Sequence, residues 1–427
     1  MSNNVCTKSG LSDFLDKSPS AFHAVLNIAA ELQKNGYTEL FEVDAWSLDV
    51  GGKYFVRKNS SSVIAFEYAG VGAPFMICAS HSDSPTFKVK EENLGAYVRL
   101  SVERYGGMLM YSWFDRPLSI AGRVMLREEN GVSEKLMNID RDLLVIPSVA
   151  IHFNRNANEG FSPNPAVDLL PLLSTDRSVT LKKIIADELS VSEDKIISHD
   201  IFLYPRQKAT LAGANGELIV SPRIDNLECA YVSLRAFLES RASAATKVYA
   251  VFDNEEVGSS TKQGANSTFM YDVLERISGT REDYLRAVAK SFMVSADNAH
   301  AKHPAHPEYS DPQKAPVLGG GVVIKYNANQ RYTTDAVSDA VFSLICERAG
   351  AAVQHFCNKA DVIGGSTLGS IANTKVSVRS VDIGLAQLAM HSAVETAAIS
   401  DACEMQKALA EFYGSTLEIV GEKIFVK

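Results

Sequence analysis

Apolar runs near the amino end at 54–56, 63–66 and 75–79 read as β-strands. The third, Phe75-Met76-Ile77-Cys78-Ala79, is apolar at every position, the pattern of a strand covered on both faces. Ahead of them, residues 18–36 carry helical spacing: Phe22, Val25, Leu26, Ala29 and Leu32 fall on one face, Ser18 serves as cap, Pro19 fits the first turn and Gly36 ends the helix. After about residue 88 the pattern shortens. Pieces at 97–102, 108–113 and 143–146 alternate with turn residues and predict antiparallel β-structure, joined by a helix near 178–189 and a Gly/Ala-rich turn at 212–216. From 226 helices and buried strands alternate again, with a helix over 226–241, a strand at 247–252, helices near 267–289, a strand at 292–295, a helix at 335–349 and a final helix near 390–413. The simplest account is an α/β domain built from residues 1–87 and 219–427, interrupted by a β-rich insert at 88–218.

Composition narrows the function classes. The 427 residues hold 42 Lys+Arg against 51 Asp+Glu, a net charge of −9, which argues against a nucleic-acid surface or a basic membrane anchor. With 46% hydrophobic and 22% charged residues the chain has enough apolar material for a large core. The six cysteines, at 6, 78, 229, 346, 357 and 403, form no C-x-x-C pair and argue against a disulfide framework; four sit in apolar runs, as small hydrophobes do. The amino-terminal MSNNVCTKSGLSDFLDK lacks the apolar segment of a signal peptide. No apolar run reaches the roughly 18 residues that span a bilayer. A cytoplasmic protein is expected.

Candidate chemistry gathers just after the apolar strands, where open α/β sheets bind their ligands. His81 and Asp83 follow the strand at 75–79, in an H-x-D spacing that lets the carboxylate sit behind the imidazole and fix its tautomer. Asp225 precedes a helix, where an ordinary N-cap is the competing reading. Asp253-Asn254-Glu255-Glu256 closes another strand, and adjacent carboxylates in one cleft repel each other unless a cation offsets them. Asp297 follows the strand at 292–295, and His391 stands at the start of the final helix. His300, His303 and His306 lie around Pro304 and Pro307, which break any helix that would align them, and so read as loop. Each residue alone has a structural alternative. Together His81, His391, Asp225, Asp297 and the Glu255-Glu256 pair make a ligand set suited to two Zn2+-like ions, one carboxylate bridging them. The +4 of two such ions would meet −3 from Asp225, Glu256 and Asp297, with a bridging hydroxide for the rest. Glu255 is then left to take a proton from water, the layout of a hydrolase acting on an amide.

Seven stretches, ASHSDSPTFKVK (79–90), SPRIDNLECAY (221–231), FDNEEVGSST (252–261), SADNAHAKHP (295–304), GGVVIKYNANQRY (320–332), GGSTLGS (364–370) and DIGLAQLAMHS (382–392), resemble in order the M18 metallopeptidases, the aspartyl aminopeptidase family. The resemblance implies a three-layer α/β/α catalytic domain with a co-catalytic zinc site, plus an inserted β-rich dimerisation domain. It implies metal ligands His81, Asp225, Glu256, Asp297 and His391, with Asp225 bridging, Glu255 as general base and Asp83 orienting His81. The cofactor would be two Zn2+ per chain, with Co2+ or Mn2+ as substitutes. His152 resembles a residue that reaches a neighbouring subunit's active site, and Lys325 and Tyr332 resemble residues lining the substrate pocket, where a cation suits an Asp/Glu side chain. Partners would be peptide substrates and further copies of the chain in a tetrahedral dodecamer, with no nucleic acid and no membrane. Ala386, Val394 and Ser370 depart from the family's usual Pro, Arg and Pro, none at a ligand position. Two rivals differ at single residues. A broad-specificity zinc aminopeptidase or deacylase of the same fold would not need Lys325, and a non-catalytic, metal-stabilised assembly protein would not need Glu255.

Overall fold

A computed structural model describes residues 10–427; the reading of the amino-terminal leader falls partly, and Cys6 wholly, outside the described residues. The largest sheet has nine strands, in spatial order Thr38–Leu40, Lys53–Lys58, Ser62–Glu67, Thr246–Phe252, Phe75–His81, Phe292–Ala296, Arg379–Gly384, Val322–Tyr326 and Val353–Cys357. Its four central members, from Thr246–Phe252 to Arg379–Gly384, run parallel and are buried almost throughout. Their carboxyl ends therefore emerge together.

Side chains alternate across this sheet and feed two separate cores. Met76, Cys78, Tyr249 and Val251 face helices Gly10–Lys17, Ala21–Lys34, Ile224–Glu239, Ala336–Ala349 and Ile399–Gly414. Phe75, Ile77, Val248, Ala250 and Phe252 face helices Phe269–Ser278, Arg281–Ala289 and Leu368–Ala372 on the other side. The molecule is an α/β protein with helices on both faces of a mostly parallel sheet.

A second sheet of six antiparallel strands uses only residues 86–205 and packs Phe87, Leu100, Ile120 and Leu203 against helix Leu181–Leu189, which Thr180 caps by accepting from the Lys183 N–H. A third, smaller sheet pairs Leu218–Ser221 with Glu395–Ala398, setting Ser221 opposite Glu395. That pairing draws two segments about 170 residues apart to the mouth of the parallel sheet. Among the described residues no helix is long and apolar enough to cross a membrane.

Several elements differ from the sequence pattern. The first expected helix begins at Ala21, and Leu26 points to solvent while Ile28 takes its place in the core, because a residue one step past Val25 is turned roughly 100° away. Helix Gly10–Lys17 was not expected. Residues 110–113 form a 3-10 turn rather than a strand, and 143–146 contribute only isolated bridges at Leu144 and Val145. The largest correction lies at the carboxyl end. Residues 390–394 are not helical: Ala389 and His391 sit at φ 56° and 65°, and a strand, Glu395–Ala398, intervenes before the helix begins at Ile399. His391 is thus carried on a turn.

Candidate metal centre

His81 is the last residue of its strand and is buried. Its Nε2 lies 3.5 Å from Asp225 Oδ1 and 3.5 Å from Asp297 Oδ1. The Nε2 of His391 lies 3.5 Å from Asp225 Oδ2 and 3.5 Å from Glu256 Oε2. One carboxylate, Asp225, therefore presents each of its oxygens to a different imidazole and sits between two half-shells, His81 with Asp297 and His391 with Glu256. Single ligand atoms of His81, Asp225 and Glu256 all lie within 4.8 Å of one another, the one such group among the described residues. His300, His303 and His306 form no comparable group; His306 instead pairs with Glu308 at 2.9 Å on the surface.

Local structure explains how each side chain is held. Asp297 follows the strand Phe292–Ala296, and its N–H donates to the Ile383 carbonyl at 3.0 Å. Glycine is required opposite it, since a Cβ on Gly384 would come 2.1 Å from the Asp297 carbonyl oxygen. Asp225 sits at a non-helical point near the start of helix Ile224–Glu239, with a cis peptide to Asn226, and Asn226 Nδ2 donates to the Ala296 carbonyl at 2.9 Å. Glu255 and Glu256 open a one-turn 3-10 segment after Asn254, which has φ 63°. Asp83 fixes that turn: its Oδ1 and Oδ2 accept the N–H groups of Glu255 and Glu256, each at 3.1 Å. Asp83 also stands behind His81, with Oδ1 3.4 Å and its carbonyl 3.1 Å from Nδ1.

Sequence reasoning missed Glu395. Its buried carboxylate accepts the Asp225 N–H at 3.0 Å and the His391 N–H at 2.7 Å, so one side chain ties together the two turns that carry these residues. Its spacing four residues after His391 was the only available signal. Asp382 was missed as well. It is buried and accepts from the Thr333 N–H and hydroxyl and from the Thr367 hydroxyl, all between 2.6 and 2.7 Å, pinning two walls of the cleft.

The electrostatics are unfavourable without a cation. Burial, with Asp225 and Glu255 close by, pushes the Glu256 carboxyl well above its ordinary value. Burial, with Asp297 and Asp83 adding to it, pushes Glu255 up to about 8. Burial opposes the charge of Asp225, but its contacts with His391 and His81 outweigh this and hold its carboxyl below the usual range. The same contacts lift His81 and His391 against the effect of burial. Asp225 Oδ1 and Glu256 Oε1 are buried and accept no hydrogen bond from the described residues. Carboxylate oxygens of Asp225 and Glu256 that face imidazoles across 3.5 Å gaps, each carboxylate keeping one unpartnered buried oxygen, suit divalent cations, and the oxygen and nitrogen donors are those zinc takes.

The group opens on a cleft of about 810 Å³, lined also by His300, Lys325, Tyr332, Phe356, Thr367 and Met390. Lys325 is buried and partly committed. Its Nζ donates to the carbonyls of Asp297 at 2.8 Å and Asn298 at 3.3 Å, lies 3.9 Å from Asp297 Oδ2, and sits 5.2 Å over the Tyr332 ring. His152 does not reach this cleft within one chain; it lies in an exposed loop between Ile151 and Phe153, the latter 87% exposed.

Residues 14–413 match the family of aminopeptidase I zinc metalloproteases (M18). A probable M18 family aminopeptidase 2 of Clostridium acetobutylicum is 44% identical over 97% of this chain and the whole of its own length. A chain in the cryo-EM structure of the Ape4 and Nbr1 complex superposes with a TM-score of 0.92 at 34% identity, covering 96% of this chain and 85% of its own. The mApe1 dodecamer of S. cerevisiae gives a TM-score of 0.83 at 26% identity, over 94% of this chain and 95% of its own.

Proposed function

The chain belongs to the M18 family and is a metalloaminopeptidase, and from that premise we propose that it uses two zinc ions to remove N-terminal residues, preferably Asp or Glu, from peptides. The observation that carries the two-metal reading is Asp225, whose two oxygens each face a separate histidine-carboxylate pair. His81 and Asp297 would hold one ion, His391 and Glu256 the other, and Asp225 would bridge them. When bound, the ions would polarise the scissile carbonyl and lower the pKa of a water molecule. The protein's own work is proton handling and alignment. Glu255 accepts the proton of the attacking water and returns it to the leaving amine. Asp83 keeps Glu255 in place through the backbone and orients His81.

Lys325 and Tyr332 define the specificity side of the cleft. Two Lys325 hydrogens are taken by carbonyls, leaving one donor for a substrate carboxylate. That commitment also favours a second reading, in which Lys325 only supports Asp297 and the enzyme has broad specificity. A kinetic panel of N-terminal Asp, Glu, Leu, Lys and Ala substrates, with metal content measured alongside, separates them. Lys325→Met should lower kcat/KM on acidic substrates by about 10- to 150-fold and on Leu little, the worth of one charge-assisted hydrogen bond. Equal losses on Asp and Leu would favour the broad-specificity enzyme.

Assembly completes the proposal. Residues 88–218 act as a dimerisation insert on the domain formed by 1–87 and 219–427, and the chain forms a homo-oligomer, a tetrahedral dodecamer, in which His152 enters a neighbour's cleft. The exposed Ile151 and Phe153 beside His152 support this, since apolar side chains grouped on a surface mark contact sites.

A further inference from the structure

One segment of the β-rich region lies against the metal centre at several points. Tyr105 ends the strand Val98–Tyr105 and donates its hydroxyl to Asp83 Oδ2 at 2.7 Å while accepting from Asn254 Nδ2 at 2.8 Å. Asn254 is itself fixed, its Oδ1 accepting from Thr261 and Gln263 at 2.8 Å each. The next residue, Gly106, has φ 77°, and a Cβ there would come 3.1 Å from the Cβ of Glu256. Further on, the Leu109 N–H donates to the His391 carbonyl at 3.0 Å, and Ser112 Oγ accepts the Ala393 N–H at 2.8 Å. Two turns that are remote in sequence, 254–256 and 389–393, thus meet a common strap from a third region.

We propose that the strap 105–112 is part of the scaffold of the metal centre, with Tyr105 a positioning residue that acts through Asp83 and Asn254 on the turn bearing Glu255 and Glu256, and Ser112 a second that acts on the turn bearing His391. The inference rests on the two-metal reading. Both turns carry ligands of the same half-shell, Glu256 with His391; Asp83, through which Tyr105 acts, also stands 3.4 Å behind His81, so Tyr105 reaches the other half-shell as well, whereas Ser112 bonds the turn of His391. Tyr105 therefore acts on both groups of ligands, and Ser112 on the one that includes His391. Geometry at a metal is set by the hydrogen bonds behind its ligands, and losing one such partner weakens binding or activity by about 10- to 100-fold.

The test titrates metal-free full-length protein with Co2+, followed by its visible absorption, beside kcat, KM and thermal unfolding. Tyr105→Phe keeps the ring that packs edge-on against Phe202 at 5.6 Å and removes only the hydroxyl. At least one of the two Co2+ equivalents should bind about 10-fold more weakly, and kcat should fall about 10-fold with KM nearly constant. Tyr204→Phe makes the same chemical change at a hydroxyl that bonds Asn138, the Ile139 carbonyl and Arg206, none of them a residue of the metal centre, and should leave both equivalents as they are. Both equivalents binding to Tyr105→Phe as to the wild type would overturn the proposal and leave the two-metal reading standing. A wild type that binds fewer than two equivalents would overturn both. If Tyr105→Phe fails to unfold cooperatively, Ser112→Ala decides: a weakened equivalent supports the strap, and two unchanged ones overturn it.

Discussion

Two clusters of histidine and carboxylate lie at different places along the same sheet and are built to opposite rules. Near the edge strand Val353–Cys357, Asp339 accepts from the Tyr326 and Ser343 hydroxyls at 2.7 Å each, and His355 Nε2 stands at 3.1 Å. Burial opposes its charge, but these partners outweigh it and hold its carboxyl below the ordinary range. At the carboxyl ends of the central strands, Asp225 and Glu256 keep buried oxygens with no hydrogen bond from the described residues, and Glu255 and Glu256 are pushed upward by burial and by neighbouring carboxylates. The residue types are alike and the difference lies in satisfaction. A structural cluster closes its hydrogen bonds internally, whereas the strand-end cluster is complete only with cations added.

The comparison breaks first at Glu255. Glu255→Gln should lower kcat by about 10²–10⁴ while the metal content stays at wild-type level, because the amide keeps the shape and loses the base. Near-normal kcat would place the proton transfer elsewhere.

The next effect is on stability against pH. In the metal-free chain, burial pushes Glu228 and Glu395 up to about 8, with Asp401 adding at Glu228 and Asp225 adding at both, whereas in an unfolded chain they titrate near about 4.3. The folded state then holds more protons between about pH 5 and 8, so stability falls as pH rises through that window. His81 and His391, lifted by their carboxylate neighbours, act in the same direction above about 6.5. Zinc would displace the protons of His81 and His391 and should lessen the slope above about 6.5, while the part from Glu228 and Glu395 remains. Thermal unfolding of metal-free and zinc-loaded protein from pH 5 to 8 checks this, and a metal-free midpoint that rises with pH would contradict it.

The smallest effect belongs to the satisfied cluster. Asp339→Asn should cost about 1–3 kcal/mol of stability, the worth of hydrogen bonds to a charged group, and leave metal content and kcat close to wild type. Loss of metal from this variant would erase the distinction between the two clusters.

How much of this was legible depended on how local the signal was. The runs Phe75-Met76-Ile77-Cys78-Ala79 and Val248-Tyr249-Ala250-Val251-Phe252 are apolar throughout, and strands buried on both faces need no other mark. The polar residues straight after them could be read for the same reason, and the structure gathers His81, Asp225, Glu255, Glu256, Asp297 and His391 around one cleft. The strand Thr86–Leu94 was missed although Phe87 and Val89 alternate with Lys88 and Lys90 at its start, because Glu91, Glu92 and Asn93 break that alternation in its second half. Glu395 and Tyr105 were illegible for a different reason. Their partners, Asp225 and Asp83, lie 170 and 22 residues away, and only the pairing of strands brings them together. The turn at His391 was misread as helix because its positive φ occurs without a glycine to mark it.

The central claim is that Asp225 stands between two metal ions. Anomalous diffraction at the zinc edge, on crystals of fully active protein, tests it most directly. The account predicts two peaks roughly 3.5–4 Å apart, one at each Asp225 oxygen, with His81 and Asp297 around the first and His391 and Glu256 around the second. A single peak, or none beside Asp225, would contradict it.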